Sequence, residues 1–453
     1  MPSRPEPIKI LAPVGYREHL SRRALLQLGA GSAGLTALLA ACGSSTKTAA
    51  PTTTAAAPTT TGATTATTSA PTTAGTTAGT TAGTTAGTTA GTTAGTTGTT
   101  AASGPVTYST VVNKSGGTLN MYTWGAYNDP SIVGDLAQTD LNITMKVDYY
   151  TSNEDLITKL STSNGSSGFD VVVPTGPYIP QMIQKGLLEK FDKSKLPNIV
   201  NVDKLYLGQD WDKGNDYSVC KDWGSTGWMV NTAKVKTPIK TWNDFIAVAM
   251  GEASGNVSVL DTGANVLGMY CWANGLDWNT EKTEDLDAAE KFLVDQFASH
   301  IKAFDSYPST KIATGDYTLS MAWNGDARAA FQDIEDAKGD TSVWKWGLGT
   351  PNTELWMDNY CIPTGSPNPD AAHAWINWLL SPDISIKDLK YHGYNSGLKD
   401  MPGLITKYAP DLKRSDMIFF ADAQVATMRT QRITSAQSRI ADIYSKIKAK
   451  AGG

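Results

Sequence analysis

Phe169-Asp170-Val171-Val172-Val173-Pro174-Thr175-Gly176-Pro177-Tyr178 reads as a buried strand that breaks into a loop and then a helix. Its valines are consecutive rather than alternating, the pattern of a strand covered on both faces, here from Phe169 to Val173. The helix starts near Tyr178 and is closed by Lys185-Gly186, glycine being a residue that ends helices without strain. Thr118 to Thr123 repeats the order of strand, loop and helix. Thr241-Trp242-Asn243-Asp244 has the form of a capping box opening a helix through Met250. Leu286, Phe292, Leu293 and Phe297 show helical spacing within Glu284 to Ile301. Alternation of this kind predicts an α/β fold with largely parallel sheets.

Outward from these stretches, all 13 tryptophans lie between Trp124 and Trp378. The folded body is therefore 104–453, about 350 residues, a size that divides into two lobes. Across the 453 residues 40% are hydrophobic, which excludes a wholly disordered chain. Of 38 basic and 43 acidic residues, six basic and two acidic ones precede residue 104, so the body carries a net charge of -9. That balance argues against nucleic acid as a partner and permits cationic ligands.

Residues 1–41 have the features of an export signal. A basic stretch ends in Ser21-Arg22-Arg23-Ala24-Leu25-Leu26 and leads into an uncharged run too short and glycine-rich to span a bilayer. The arginine pair is that of a twin-arginine signal, a receptor-read address. Leu39-Ala40-Ala41-Cys42-Gly43 has the form of a lipobox, in which cleavage precedes the cysteine and Cys42 takes a diacylglycerol; the alternative is a secretory peptide with an incidental cysteine. Residues 42–103 lack aromatic side chains and include six tandem Thr-Thr-Ala-Gly units from Thr72 to Gly95, a composition that cannot form a core. A disordered, mucin-like stalk is expected, spanning about 45 Å root mean square as a flexible coil.

In open α/β sheets ligands bind beyond the carboxyl ends of the strands. Trp124, Gly125 and Tyr127 follow the first strand, Thr175, Pro177 and Tyr178 the second, and Trp323-Asn324-Gly325 follows the apolar stretch Leu319 to Ala322. In Leu355-Trp356-Met357-Asp358-Asn359-Tyr360-Cys361-Ile362 an extended chain puts Trp356 and Asp358 on one face. An indole beside a carboxylate offers an ammonium group a π face and a counter-charge. Single tryptophans after strands usually pack in cores; it is their clustering here that points to a ligand.

Enzyme motifs are missing from the sequence. The body's histidines, His300, His373 and His392, are not in metal-ligand spacing, and GxSxG, Walker and GxGxxG patterns are absent. His373, on a helix from Ala371 to Leu380, is expected to be a surface or packing residue rather than a ligand. Asp326 reads as a helix N-cap, so its pairing with Asp358 as the two carboxylates of a carbohydrate hydrolase has no support in spacing. No metal and no cofactor are expected. With Cys42 lipidated, one internal disulfide is available at most; Cys220 with Cys361 is the expected pair, both lying in extended segments, and three free thiols are the alternative. Cys271 reads as helical and buried.

From Gly117 to Gly452 the chain resembles the spermidine/putrescine-binding proteins of bacterial ABC importers. The matching stretches are Thr118 to Trp124, Phe169 to Pro174, Asn215 to Val219 leading to Trp223-Gly224, Met321 to Gly325, and Trp356-Met357-Asp358. The resemblance implies a two-lobed periplasmic-binding-protein fold of type II. It assigns 116–230 with 356–402 to lobe 1 and 231–355 with 403–453 to lobe 2. It also implies a lipid-tethered monomer outside the cell membrane that captures a polyamine and delivers it to a membrane permease without chemistry of its own. By the same resemblance Trp124, Tyr127, Thr175 and Tyr178 line the cleft, and Trp323 and Trp356 sandwich the methylene chain. Asp358 receives an ammonium group, and Tyr394 and Gln431 complete the wall. Thr262 and Asn265 stand where the family carries an acidic pair, and Pro177 where it carries a tyrosine. Asp222, Asp261 and Asp326 are the nearby acids expected to substitute for the pair. Without them the cleft would suit another amine, a zwitterion or a sugar-like ligand.

Overall fold

The computed structural model describes residues 106–163 and 167–452, so the export signal, Cys42 and the stalk expected at 42–103 lie outside the described residues. The first sheet is parallel, in the order β2-β1-β3, formed by β1 (Gly117–Trp124), β2 (Ile143–Tyr150) and β3 (Val171–Val172). A helical segment, Ile132–Leu141, crosses from β1 to β2, and the helix Asn153–Thr162 leads back toward β3, as parallel pairing requires. Val171 and Val172 are wholly buried, in keeping with their consecutive pattern. The helix Ile179–Gln184 follows, capped by Lys185.

The remaining strands are β4 (Leu188–Glu189), β5 (Val219–Asn231), β6 (Val257–Val259), β7 (Ile301–Phe304), β8 (Leu319–Trp323), β9 (Trp344–Leu348), β10 (Leu355–Tyr360) and β11 (Ile362–Pro363). β5 is the spine of the molecule: all 13 of its residues are buried, and it changes neighbours midway. From Val219 to Ser225 it pairs antiparallel with β10; from Thr226 onward it pairs antiparallel with β8 and β9. β6 and β7 extend that side in parallel.

Each half has its own core. One gathers Leu119, Met121, Val171, Val219, Met357 and Trp375; another gathers Trp228, Trp242, Phe245, Val257, Leu319 and Ile443. A third cluster, with Met229, Tyr317, Phe331 and Trp344, lies on the same side of the crossing strand as the second, and the separately packed interiors on its two halves make the two-lobed arrangement. Leu404, Ile418 and Met428 join the first core, so packing there continues past residue 402, while the final helix Gln437–Ala451 joins the second through Ile440, Ile443 and Ile447.

Thr241 caps the helix Trp242–Met250 in a reciprocal box: its hydroxyl accepts from Asp244 N at 3.2 Å and its own N–H donates to Asp244 Oδ2 at 2.9 Å. Leu286, Leu293 and Phe297 are buried along a helical path from Thr283 to His300. His373 packs as expected, accepting at Nε2 from Asp192 N at 2.9 Å. Two expectations fail. Asp326 is not an N-cap, because the helix Asn324–Asp336 already starts at Asn324 and Asp326 sits inside its first turn. Cys220 and Cys361 are not bonded; both, like the helical Cys271, are buried free thiols. The residue opposite Cys220 on β10 is Asn359. Cys361 lies two residues further, about 7 Å along the strand, where the chain turns to pair with Val172, too far displaced for a disulfide.

Candidate functional site

The pairing of β5 with β10 sets three cross-strand neighbours on one face: Asp222 opposite Asp358, Gly224 opposite Trp356, and Thr226 beside Glu354 at the next step of the register. Directly opposed residues in an antiparallel pair point to the same side, and positions two apart share a face. A two-strand floor results, with Asp358, Trp356 and Glu354 in a row. Met357, on the opposite face, is buried in the first core.

Asp358 is 6% exposed and forms an isolated backbone bridge with Thr175, at the end of the segment after β3. Thr175 is held by Asn153, which accepts from its N–H and donates to its hydroxyl, each at 3.0 Å. The turn after β1, with Ala126 at φ 53°, delivers Tyr127 between two carboxyls: its hydroxyl meets Asp222 and, at 2.8 Å, Asp358 Oδ2. A phenol has one proton to donate, so bonding to both requires that one carboxyl carry a proton. Asp222 has a counter-ion, since Lys221 Nζ is 2.7 Å from its Oδ2; Asp358 has none among the described ion pairs. Burial raises both carboxyls, Asp222 against the opposing charge of Lys221, and at Asp358, where the Asp222 charge adds to burial, the pKa is pushed up to about 7.

Behind Tyr127 lies a buried charge cluster. Lys221 Nζ sits 3.9 Å from the Tyr127 ring centre and 3.5 Å from Asp388, and His392 Nε2 lies 3.5 Å from Asp222. Asp388 also accepts from Asn128 Nδ2 at 2.9 Å and from Asp129 N at 2.7 Å. Burial depresses Lys221, but Asp222 and Asp388 outweigh it and hold its pKa above the ordinary value, so it stays charged. This cluster fixes Tyr127 and neutralises Asp222, leaving Asp358 as the carboxyl without an internal cation.

Aromatic side chains wall this floor. Trp124 donates Nε1 to Val173 O at 3.1 Å and meets Tyr150 edge-on at 4.6 Å. Trp356 lies over Gly224, where a Cβ would come within 2.4 Å of the indole, so only glycine lets the ring settle there. Tyr394 is edge-on to Trp356 at 4.7 Å and donates to Asp326 Oδ2 at 2.6 Å; its ring takes the space a Cβ on Gly325 would need. Tyr178 donates to Glu154 Oε1 at 2.8 Å. Tyr307, 38% exposed, was not foreseen; burial, then the charges of Asp326 and Asp358, raise its phenol above the usual range.

On the second-lobe side the acid is Glu354, 6% exposed. Thr226 Oγ1 and Asn265 Nδ2 both donate to its Oε2 at 2.6 Å. Burial raises its pKa while Thr226, Asn265 and the Trp323 indole oppose the rise. Thr262 does not reach this carboxyl by a hydrogen bond among the described residues; it caps the helix Gly263–Asn274 and donates to Asn265 Oδ1 at 3.1 Å, orienting that amide. Gln431 is half-buried, two residues beyond Arg429, whose backbone bridges Glu354.

The three acids expected to substitute for the pair are all engaged elsewhere. Asp222 is paired with Lys221, Asp261 binds Lys448 at 2.5 Å and the Tyr444 hydroxyl, and Asp326 accepts from Tyr394. Glu354 was missed because its residue, just before the Trp356-Met357-Asp358 motif, draws attention only when the strand's alternation is run backward by two positions.

Residues 132–413 match the family of bacterial extracellular solute-binding proteins. The chain is 31% identical over 345 residues to the spermidine/putrescine-binding periplasmic protein of Escherichia coli K12, covering 73% of this chain and 92% of that protein. It is 30% identical over 341 residues to the protein of the same description from Salmonella typhimurium, with the same coverage. Among solved structures, a lipoprotein of Treponema pallidum superposes with a TM-score of 0.64 at 24% identity, covering 73% of this chain and 99% of that one.

Proposed function

Because the chain belongs to the bacterial extracellular solute-binding protein family, we propose that it is the receptor of an ABC importer for a polyamine, spermidine or putrescine, carried by a lipid on Cys42 and serving a membrane permease. The observation that supports the ligand class best is the floor of the cleft, where Asp358 is a buried carboxyl without an internal cation and Trp356 lies beside it on the same strand face. An arriving ammonium group supplies the missing charge. It displaces the carboxyl proton and accepts the shelter of the indoles for the methylenes that follow it. Relatives of 30% identity or more named for spermidine and putrescine support the same class. Trp124, Tyr127, Thr175, Tyr178, Trp323, Trp356, Asp358, Tyr394 and Gln431 make the proposed wall, with Thr262 and Asn265 acting on the second-lobe side through Glu354.

The test is isothermal titration of the purified protein, freed of carried-over ligand by unfolding and refolding, with spermidine, putrescine, a monoamine and a sugar. Micromolar or tighter binding of a polyamine is expected. Silence with both polyamines, with heat from the monoamine or sugar, would overturn the ligand class.

A further inference from the structure

We propose that Glu354 is the second ammonium anchor of the cleft, so that Glu354 and Asp358 together select ligands with two cationic groups separated by an apolar chain. The inference rests on the polyamine reading of the same site and names the residue that replaces the missing acidic pair. Asn265, at one of the positions where an acid was expected, spends its amide on Glu354 Oε2 at 2.6 Å. The negative charge has thus moved across one hydrogen bond, from the helix Gly263–Asn274 to the residue beside β10.

Three observations carry the assignment. First, Glu354 resembles Asp358 and differs from Asp222 and Asp388: it is buried, and no Lys, Arg or His pairs with it among the described residues, whereas those two share Lys221 and His392. A buried carboxylate without a counter-ion is costly unless a cation arrives from outside. Second, Thr226 and Asn265 hold the carboxyl through Oε2, and the Trp323 indole also favours its ionised form, which sets Glu354 against one of the tryptophans of the proposed wall. Third, Glu354 stands two residues before Trp356 and four before Asp358 in extended chain, on the strand face that those two share.

The spacing sets the ligand. Glu354 and Asp358 are four residues apart on an extended strand, about 14 Å between Cα atoms, with Trp356 midway on the same face. A monoamine cannot bridge that span. A diamine chain of five bonds of about 1.5 Å covers roughly 6 Å and a triamine chain of nine bonds roughly 11 Å, to which each ammonium adds about 3 Å of hydrogen-bond reach. With both ends counted the diamine reaches about 12 Å and the triamine about 17 Å, on either side of the span, so the spacing admits both with their methylenes over Trp356.

The experiment compares wild type, Glu354→Gln, Asp358→Asn and the double variant Glu354→Gln/Asn265→Asp by titration with spermidine, putrescine and n-butylamine. Glutamine keeps an acceptor for Thr226 and Asn265 and removes a buried charge that has no counter-ion, so ligand-free melting should not fall. Glu354→Gln is expected to weaken spermidine about tenfold to a hundredfold, the range of a charge-assisted bond, and to leave n-butylamine within about twofold. Asp358→Asn should weaken all three amines. The double variant, which returns a carboxylate to position 265, should regain part of the spermidine affinity. Spermidine binding unchanged in Glu354→Gln, or spermidine and n-butylamine weakened equally, would overturn the assignment, the second result marking Glu354 as a structural strut. Should wild type bind no polyamine at all, it is the ligand class of the preceding section that fails.

Discussion

Asp358 concentrates the chemistry of the site in one titration. Its carboxyl is raised to about 7 by burial and by the charge of Asp222, against about 3.9 in an unfolded chain. The sign follows from linkage. A carboxyl whose folded pKa is raised leaves the fold undisturbed below about pH 4, destabilises it progressively between about 4 and 7, and does so fully above about 7. Asp358→Asn is therefore expected to stabilise the ligand-free protein at pH 8 by on the order of 3 kcal/mol and to have a much smaller effect near pH 4. Denaturant melts at the two values check it; an equal change at both would sink the argument. The same titration governs the ligand. An ammonium prefers the ionised carboxylate, so polyamine affinity should fall by up to about tenfold per pH unit below about 7, with proton release visible as a dependence of binding heat on the buffer.

At the scale of the element, β5 and β10 work as a pair. Trp356 can lie over its neighbour because that neighbour is Gly224, and Asn324 Oδ1, which accepts from Ser225 N at 2.9 Å, crowds the same point. A methyl group there meets both the indole and the amide at 2.4 Å. Gly224→Ala is expected to cost about 1–3 kcal/mol of stability, as overpacking does, and to weaken every amine by shifting Trp356. Melting curves and titrations with spermidine and n-butylamine test this, and unchanged affinity would mean that Trp356 is not part of the ligand's surroundings.

At the scale of the whole molecule, the proposed receptor role calls for a folded body held at a membrane. No helix among the described residues is long and apolar enough to cross one. In our reading the attachment is a lipid at Cys42, with the Thr, Ala and Gly-rich stretch as a spacer. Cys42→Ser should move the protein from the membrane fraction to the soluble extracytoplasmic fraction while spermidine affinity remains within about twofold of wild type. Retention of the variant in the membrane fraction would point to a different attachment.

Local rules determined much of this protein. The consecutive valines of β3, the Thr241 box, the Lys185-Gly186 stop and the helical spacing from Leu286 to Phe297 are interactions within a few residues, and they were legible because nothing distant needed to be known. The shared face of Trp356 and Asp358 was legible for the same reason, being the period of a strand. What the tertiary structure alone decided is which charges remain without a partner. Asp222 looked as available as Asp358 until Lys221, His392 and the Tyr127 hydroxyl closed on it, and Asp261 until the last helix brought Lys448 and Tyr444. Asn265, 89 residues away, and Thr226, 128 residues away, meet on the Glu354 carboxylate. Cysteines 220 and 361, both in extended chain, ended out of step by two residues. Pairing register and helix docking are set by the fit of two cores built from distant segments, so neutralisation of a buried charge cannot be read from the sequence around it.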